Sequence, residues 1–274
     1  MTDKYAVLGN PIAHSKSPII HAAFAKQTNQ DISYEAKVAS LDDFTNTINR
    51  LIAEGYKGVN VTVPFKFEAF DAANHIDDSA LVAEASNTLV FYEGVTAAYN
   101  TDGIGLVTDI QKNLGVALQG KRVLMVGAGG AAQGVALEIA KINLAAFVVV
   151  NRSLEKVHEM QRKLGSAKES DITAITASSF DGLEGQVFDV VINATSTGLT
   201  GSALPIPDSI FTSSTLAYDM MYGRETLFMA QARLAGAQVA DGLGMLVEQA
   251  AEAFSIWRGV RPATKSVIAT IIAL

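Results

Sequence analysis

The chain contains no cysteine, which removes disulfides, thiolate nucleophiles and cysteine-ligated metals from consideration. Its four histidines are scattered, without the H-x-x-x-H pair of a helical zinc site. Positive charge is short as well. Against 28 Asp and Glu stand 21 Lys and Arg, a formal net charge of −7, whereas a nucleic-acid partner wants a basic face. No run of about 18 apolar residues is present to cross a membrane. The opening MTDKYAVLGNP has no basic region followed by a long apolar stretch, so no signal peptide is expected and the expected location is the cytoplasm. No Pro/Gly/Ser linker, repeat or low-complexity segment divides the chain. What is abundant is apolar: 49% of 274 residues are hydrophobic, enough for one large domain or two ordinary ones.

Within that apolar background, residues 121–132 read KRVLMVGAGGAA. Val123 to Val126 form a short unbroken run, as in a parallel strand buried on both faces. Gly127, Gly129 and Ala132 then spell G-x-G-x-x-A: a tight turn, room for a pyrophosphate, and a close helix–strand contact. The helix expected over 131–142 presents free N–H groups to phosphate. A second apolar strand is expected at 146–150, completing a βαβ unit. At its end an NAD site wants Asp or Glu, but the chain reads Asn151-Arg152-Ser153, then Lys156. Arg offers a planar fork to a 2′-phosphate, so the pocket reads as one for NADP, with Arg152, Ser153 and Lys156 on the phosphate. The plainer alternative is a solvated helix start with Ser153 as N-cap.

The N-terminal half reads as alternating strands and helices. Strands are expected at 5–8, 32–38, 89–92 and up to 98, with helices over 19–27, 41–54 (capped by Ser40) and 104–113. Ser17 suits the N-cap ahead of Pro18, leaving the Ser15 hydroxyl for a ligand. In the strand expected through 59–63, Val59, Val61 and Val63 share one face while Asn60 and Thr62 share the other. Pro64 ends it, and Lys66 follows where α/β sheets place ligands. Asp102 opens the helix at 104, either as a simple N-cap or as half of an acid–base pair with Lys66. Further strands are expected at 171–175, 187–192 and 215–220, with an edge strand at 238–240. Helices are expected over 154–164, 225–235 and 245–257, and over 264–274, an apolar helix expected to pack against something large.

Taken together, GNPIAHSKSP (9–18), NVTVPFK (60–66), SNTL (86–89), NTDG (100–103), GAGGAA (127–132), NRS (151–153), INATSTG (192–198), YDMMY (218–222) and ADGLGML (240–246) resemble the motifs of the shikimate dehydrogenase family. The resemblance covers nearly the whole chain. It implies an α/β fold: an N-terminal α/β substrate domain (1–103), a Rossmann-like NADP-binding domain (104–241), and C-terminal helices (242–274) returning to the first domain. It also implies NADPH-dependent reduction of 3-dehydroshikimate to shikimate, an active site between domains that close on their ligands, and a monomer or homodimer with no metal. Lys66 and Asp102 correspond to the catalytic pair, which also touches substrate. Ser15, Ser17, Asn60, Thr62, Asn87, Tyr222 and Gln249 correspond to the other shikimate contacts. Gly127, Ala128, Gly129, Gly130, Ala131, Asn151, Arg152, Ser153, Lys156, Met220 and Gly242 correspond to cofactor contacts, as does Asp78, for which the sequence offers no physical reason. Two positions depart from the family: Ser153 often stands as Thr and Lys156 as Arg. Ser keeps the hydroxyl and Lys the charge, without the planar fork. The nearest alternatives are a quinate/shikimate dehydrogenase with relaxed cofactor choice, a non-catalytic NADP-sensing module, and a methylene-tetrahydrofolate dehydrogenase.

Overall fold

The computed structural model describes residues 2–167 and 171–273. They group into two units, Met1–Gly105 with Leu246–Leu274, and Leu106–Met245. In the first, β1 (Asp3–Gly9), α1 (Ser17–Thr28), β2 (Ile32–Val38), α2 (Phe44–Ala53), β3 (Tyr56–Val61), α3 (Lys66–Asp71), β4 (His75–Ile76), α4 (Asp78–Ala83), β5 (Thr88–Tyr92) and β6 (Val95–Tyr99) follow in order. The sheet runs β2-β1-β3-β5-β6-β4. β2, β1 and β3 are parallel, and β5 is antiparallel to both its neighbours. This mixed order has one consequence for the site. The carboxyl ends of β1, β3 and β6 and the amino end of β5 all fall on the same edge of the sheet. Leu8, Val59, Val61 and Leu89 pack beneath it against Phe44, Ile48 and Leu51 of α2, which stand one helical turn apart.

Two expectations fail here. Residues 41–43 are not helical: α2 starts after Asp43, whose carboxylate accepts from Asn46 Nδ2 at 2.7 Å, and Leu41 is 63% exposed. Val63 does not share the buried face of Val59 and Val61. β3 ends at Val61, and Val63 is 66% exposed.

The chain enters the second unit through α5 (Asp102–Thr108), continued by a π-helical turn, Asp109–Asn113. There follow β7 (Arg122–Val126), α6 (Gly130–Ala140), β8 (Ala146–Val150), α7 (Leu154–Gly165), β9 (Ile175–Ser178), β10 (Val190–Asn193), α8 (Thr197–Thr200), β11 (Leu216–Asp219), α9 (Leu227–Leu234) and β12 (Gln238–Ala240). All six strands are parallel, in the order β12-β11-β10-β7-β8-β9. This is the doubly wound arrangement, with its reversal of strand order between β7 and β10. The strand expected at 171–175 lies later, at Ile175–Ser178. Thr173 explains the shift: its N–H donates to Ala140 O and its hydroxyl to Ile142 O, so it ties to the end of α6 instead of a sheet ladder.

The last two helices are α10 (Leu243–Arg258) and α11 (Lys265–Ile272). Trp257 anchors α10 to the first sheet. It stacks on Tyr5 at 4.6 Å and donates from Nε1 to Leu89 O. Gly58 makes room for it, since a Cβ there would lie 2.5 Å from Trp257 Nε1. α11 corrects the expectation of a helix packed against something large: it buries only Val267 and Ile271, and Ile272 is 69% exposed. Leu274, the end of that expected helix, lies outside the described residues.

His21 sits in this core, fully buried beside Phe24, Tyr34, Phe254 and Trp257. Its ring nitrogens make no well-aligned hydrogen bond among the described residues, and the Asn60 side chain opposes the effect of burial only in part. Burial lowers its pKa to about 3, against about 6.5 in an unfolded chain. Below pH 6.5 the unfolded state therefore takes up a proton that the folded state refuses, and folding stability falls as pH falls. Urea unfolding of wild type and His21→Phe at pH 7, 5.5 and 4.5 checks this. Relative to the variant, wild type should lose about 1.4 kcal/mol per pH unit below 6.5. Equal slopes would show that His21 is charged or solvated in the folded state.

Candidate active site

At the shared edge of the first sheet, the loop after β3 delivers Lys66 and the end of β6 delivers Asp102. Lys66 Nζ donates to Asp102 Oδ2 at 2.5 Å, and the two side chains are 23% and 11% exposed. Asp102 is not a bare N-cap. It is the first residue of α5, and its N–H donates to Asn100 Oδ1. Its other oxygen accepts from Asn87 Nδ2 at 2.8 Å, so both carboxylate oxygens are held. Asn87, at the amino end of β5, is in turn fixed from three sides. Its Oδ1 accepts from Thr101 N–H and Thr88 Oγ1, and its Nδ2 also reaches Thr101 Oγ1 and, at 3.3 Å, Gln249 Oε1. Gln249 reaches the site because Trp257 anchors its helix, α10, on the sheet. The result is an ion pair with a defined orientation, partly withdrawn from water, where electrostatic effects are strengthened.

Around this pair the same edge gathers hydroxyls and amides. Ser17 is buried as the first residue of α1; Lys16 takes the N-cap position expected of Ser17. Ser15 Oγ accepts from Ser17 N–H at 3.3 Å. Thr62 lies one residue past β3, its methyl over Gly9, where a Cβ would lie 2.6 Å away. Asn60 is buried on β3, its Nδ2 donating to Asn87 O and Thr88 Oγ1.

The second unit holds a separate constellation at its strand reversal. Gly127 ends β7 with φ +114°, and a Cβ on it would lie 3.1 Å from Ala194 O; only glycine suits both constraints. A Cβ on Gly129 would meet nothing within 4 Å, and no side chain caps α6 behind it. Open space before an uncapped helix N-terminus suits a phosphate. Arg152 and Lys156 are exposed beyond β8, and Asn151 Nδ2 donates to Ser153 O. Ser153 stands at the N-cap of α7 without a side-chain bond. Gly242 is pressed onto Met220, whose O would lie 2.3 Å from an added Cβ. These residues fit a dinucleotide carrying a 2′-phosphate.

Asp219 organises the loops of this constellation. Fully buried at the end of β11, it accepts from Asn193 Nδ2 at 3.1 Å, Thr226 Oγ1 at 2.6 Å and Met221 N–H at 3.0 Å. Asn193 Oδ1 then accepts from the Thr195 N–H and hydroxyl. One carboxylate thus pins the segments after both β10 and β11. In the sequence Asp219 is one residue of YDMMY with no role of its own; a carboxylate closing the strand LAYD is the signal that marks it.

Comparison with known proteins follows the same division. Residues 7–89 match the description "Shikimate dehydrogenase substrate binding domain", 109–200 match "Shikimate / quinate 5-dehydrogenase" and 242–272 match "Shikimate 5'-dehydrogenase C-terminal domain". The NADP(+) shikimate dehydrogenase of Methylobacillus flagellatus is 52% identical over 98% of each chain. The chain belongs to the shikimate dehydrogenase family. Among solved family-like structures, an Ael1 enzyme from Pseudomonas putida aligns with a TM-score of 0.92 at 45% identity, over 98% of both chains. The shikimate 5-dehydrogenase of Thermus thermophilus, solved with NADP(H) and shikimate, aligns with a TM-score of 0.83 at 30% identity, over 97% of both chains.

Against the family's site, the first unit brings Ser15, Ser17, Asn60, Thr62, Lys66, Asn87, Asp102 and Gln249 into one unit, and Tyr222 falls in the second. The second unit holds Gly127 to Ala131, Asn151 to Ser153, Lys156, Met220 and Gly242. Asp78, half-buried at the start of α4, stands in the first. Among the described residues no cluster of His, Asp and Glu could hold a metal, and no helix is long and apolar enough to cross a membrane.

Proposed function

We propose that this chain catalyses the reversible reduction of 3-dehydroshikimate to shikimate with NADPH, in the route to the aromatic amino acids, and works in the cytoplasm. The observation that carries the reading is the Lys66–Asp102 pair, oriented by Asn87 and set among hydroxyl and amide side chains. A polyhydroxylated acid needs such neutral donors and acceptors. Ser15, Ser17 and Thr62 offer hydroxyls to it, and Asn60, Asn87 and Gln249 offer amides; Tyr222 is carried over from the family alone. The nicotinamide ring supplies the hydride chemistry when bound. Gly127, Ala128, Gly129, Gly130 and Ala131 would hold the pyrophosphate of the dinucleotide. Asn151, Arg152, Ser153 and Lys156 would hold the adenosine 2′-phosphate, with Met220 and Gly242 as further cofactor contacts carried over from the family. Asp78 is carried over from the family alone.

The chain itself has one proton to manage. In the oxidation direction the substrate hydroxyl gives up its proton within reach of Lys66 and Asp102. In reduction the pair returns a proton to the alkoxide oxygen. Because Asp102 is already held by Lys66 and Asn87, the two groups act on that proton as one unit. A spectrophotometric assay of NADPH formation, run with shikimate and with quinate, each with NADP and NAD, tests the reading. The fastest turnover should come from shikimate with NADP. Absence of NADPH formation from shikimate would overturn it, and faster turnover of quinate with NAD would move the chain to the relaxed alternative.

A further inference from the structure

Tyr34 lies on β2, away from every motif described above, yet its hydroxyl donates to Asn60 Oδ1 at 2.7 Å. The direction of that bond follows from Asn60's other neighbours. Its nitrogen faces the backbone oxygen of Asn87 at 3.2 Å and the Thr88 hydroxyl at 3.0 Å. A backbone carbonyl can only accept, so the amide nitrogen must face it and the amide oxygen must face Tyr34. The phenol therefore donates. The Ser17 side chain interacts with the same phenol. Tyr34 thus joins two side chains assigned to the substrate pocket. His21 holds the phenol in place, lying flat on its ring with centroids 4.1 Å apart and planes 8° apart.

The hydrogen-bond count then decides what Asn60 can offer. Both of its N–H groups are used within the protein, and one lone pair of Oδ1 is used by Tyr34. No N–H remains to offer, so what Asn60 presents to a ligand is its oxygen, with which the His21 side chain also interacts. Such a group repels a carboxylate and accepts from a hydroxyl. We propose that Tyr34 is a positioning residue for substrate recognition: its hydroxyl locks the Asn60 amide so that Asn60 reads one substrate hydroxyl as a hydrogen-bond donor. This rests on the assignment of Asn60 to the substrate pocket.

The test uses Tyr34→Phe, which keeps the ring and its stack, beside Asn60→Ala, with thermal unfolding of both. Steady-state constants are measured for shikimate and NADP, and inhibition constants for the monodeoxy analogues of shikimate, each lacking one ring hydroxyl. For Tyr34→Phe we expect the shikimate KM to rise about 3- to 10-fold, the loss of one neutral hydrogen bond, with the NADP KM unchanged. Binding should weaken by the same factor for every analogue but one, the one lacking the hydroxyl that Asn60 accepts. Weakening of all analogues alike, or of none, would overturn the role of Tyr34. An Asn60→Ala variant with an unchanged shikimate KM would instead remove Asn60 from the pocket, and the proposal with it.

Discussion

Replacing Lys66 by alanine should lower kcat for shikimate oxidation by about 10²–10⁴, with a smaller change in the shikimate KM. The size follows from what is lost. Lys66 Nζ is 2.5 Å from Asp102 Oδ2, so the variant removes both a group within reach of the reacting proton and the partner of a largely buried carboxylate. Asp102→Asn should cost a similar factor. It keeps the shape but removes the charge that Lys66 and Asn87 Nδ2 both face. The double variant should be little worse than either single one, because residues acting as a unit are not additive. Steady-state kinetics of the three variants decide the matter. Losses that add in log kcat would show two independent groups, and a raised KM with kcat intact would make Lys66 a binding residue only.

Arg152→Ala should raise the KM for NADP by about 10- to 150-fold, the range expected for losing a charged hydrogen bond of about 1.5–3 kcal/mol, while leaving the KM for NAD nearly unchanged. Arg152 is exposed just beyond β8, the position from which a dinucleotide's ribose is read in a doubly wound sheet. No carboxylate occupies 151–153 to repel a phosphate. Lys156 stands four residues on, as a compact charge without Arg's planar fork, so Lys156→Ala should cost less. Kinetics with both cofactors check this. Equal losses with NADP and NAD would make Arg152 a structural residue of the turn.

The nucleotide half was the more legible in sequence. Val123 to Val126, the glycines behind them and the strand at 146–150 fall where the pattern puts them, because a run buried on both faces admits few alternatives. Boundaries failed where side chains bond locally: Asp43 pairs with the Asn46 amide at the start of α2, and Thr173 ties to the backbone at the end of α6, so 171–174 stay out of the sheet. The pairing of Lys66 with Asp102 was expressed in sequence only as two motifs. What joins them is the antiparallel placement of β5 between β3 and β6, which is a tertiary fact. Tyr34 left no trace at all. It reads as one aromatic in an alternating strand, and its meaning depends on Asn60, 26 residues away and two strands across the sheet. Asp78 keeps its place on resemblance alone; its position at the start of α4 gives no further reason for it.

On the proposed function, a hydride passes between NADPH and the C3 carbon of a shikimate skeleton. Incubation of the purified protein with 3-dehydroshikimate and NADPH fully deuterated at C4 of the nicotinamide, followed by mass and proton spectra of the product, tests it most directly. The expected product is shikimate carrying a single deuteron, located at C3, with almost none formed by the Lys66→Ala protein in the same time. Shikimate without deuterium at C3, or no shikimate at all from the wild-type chain, would contradict it.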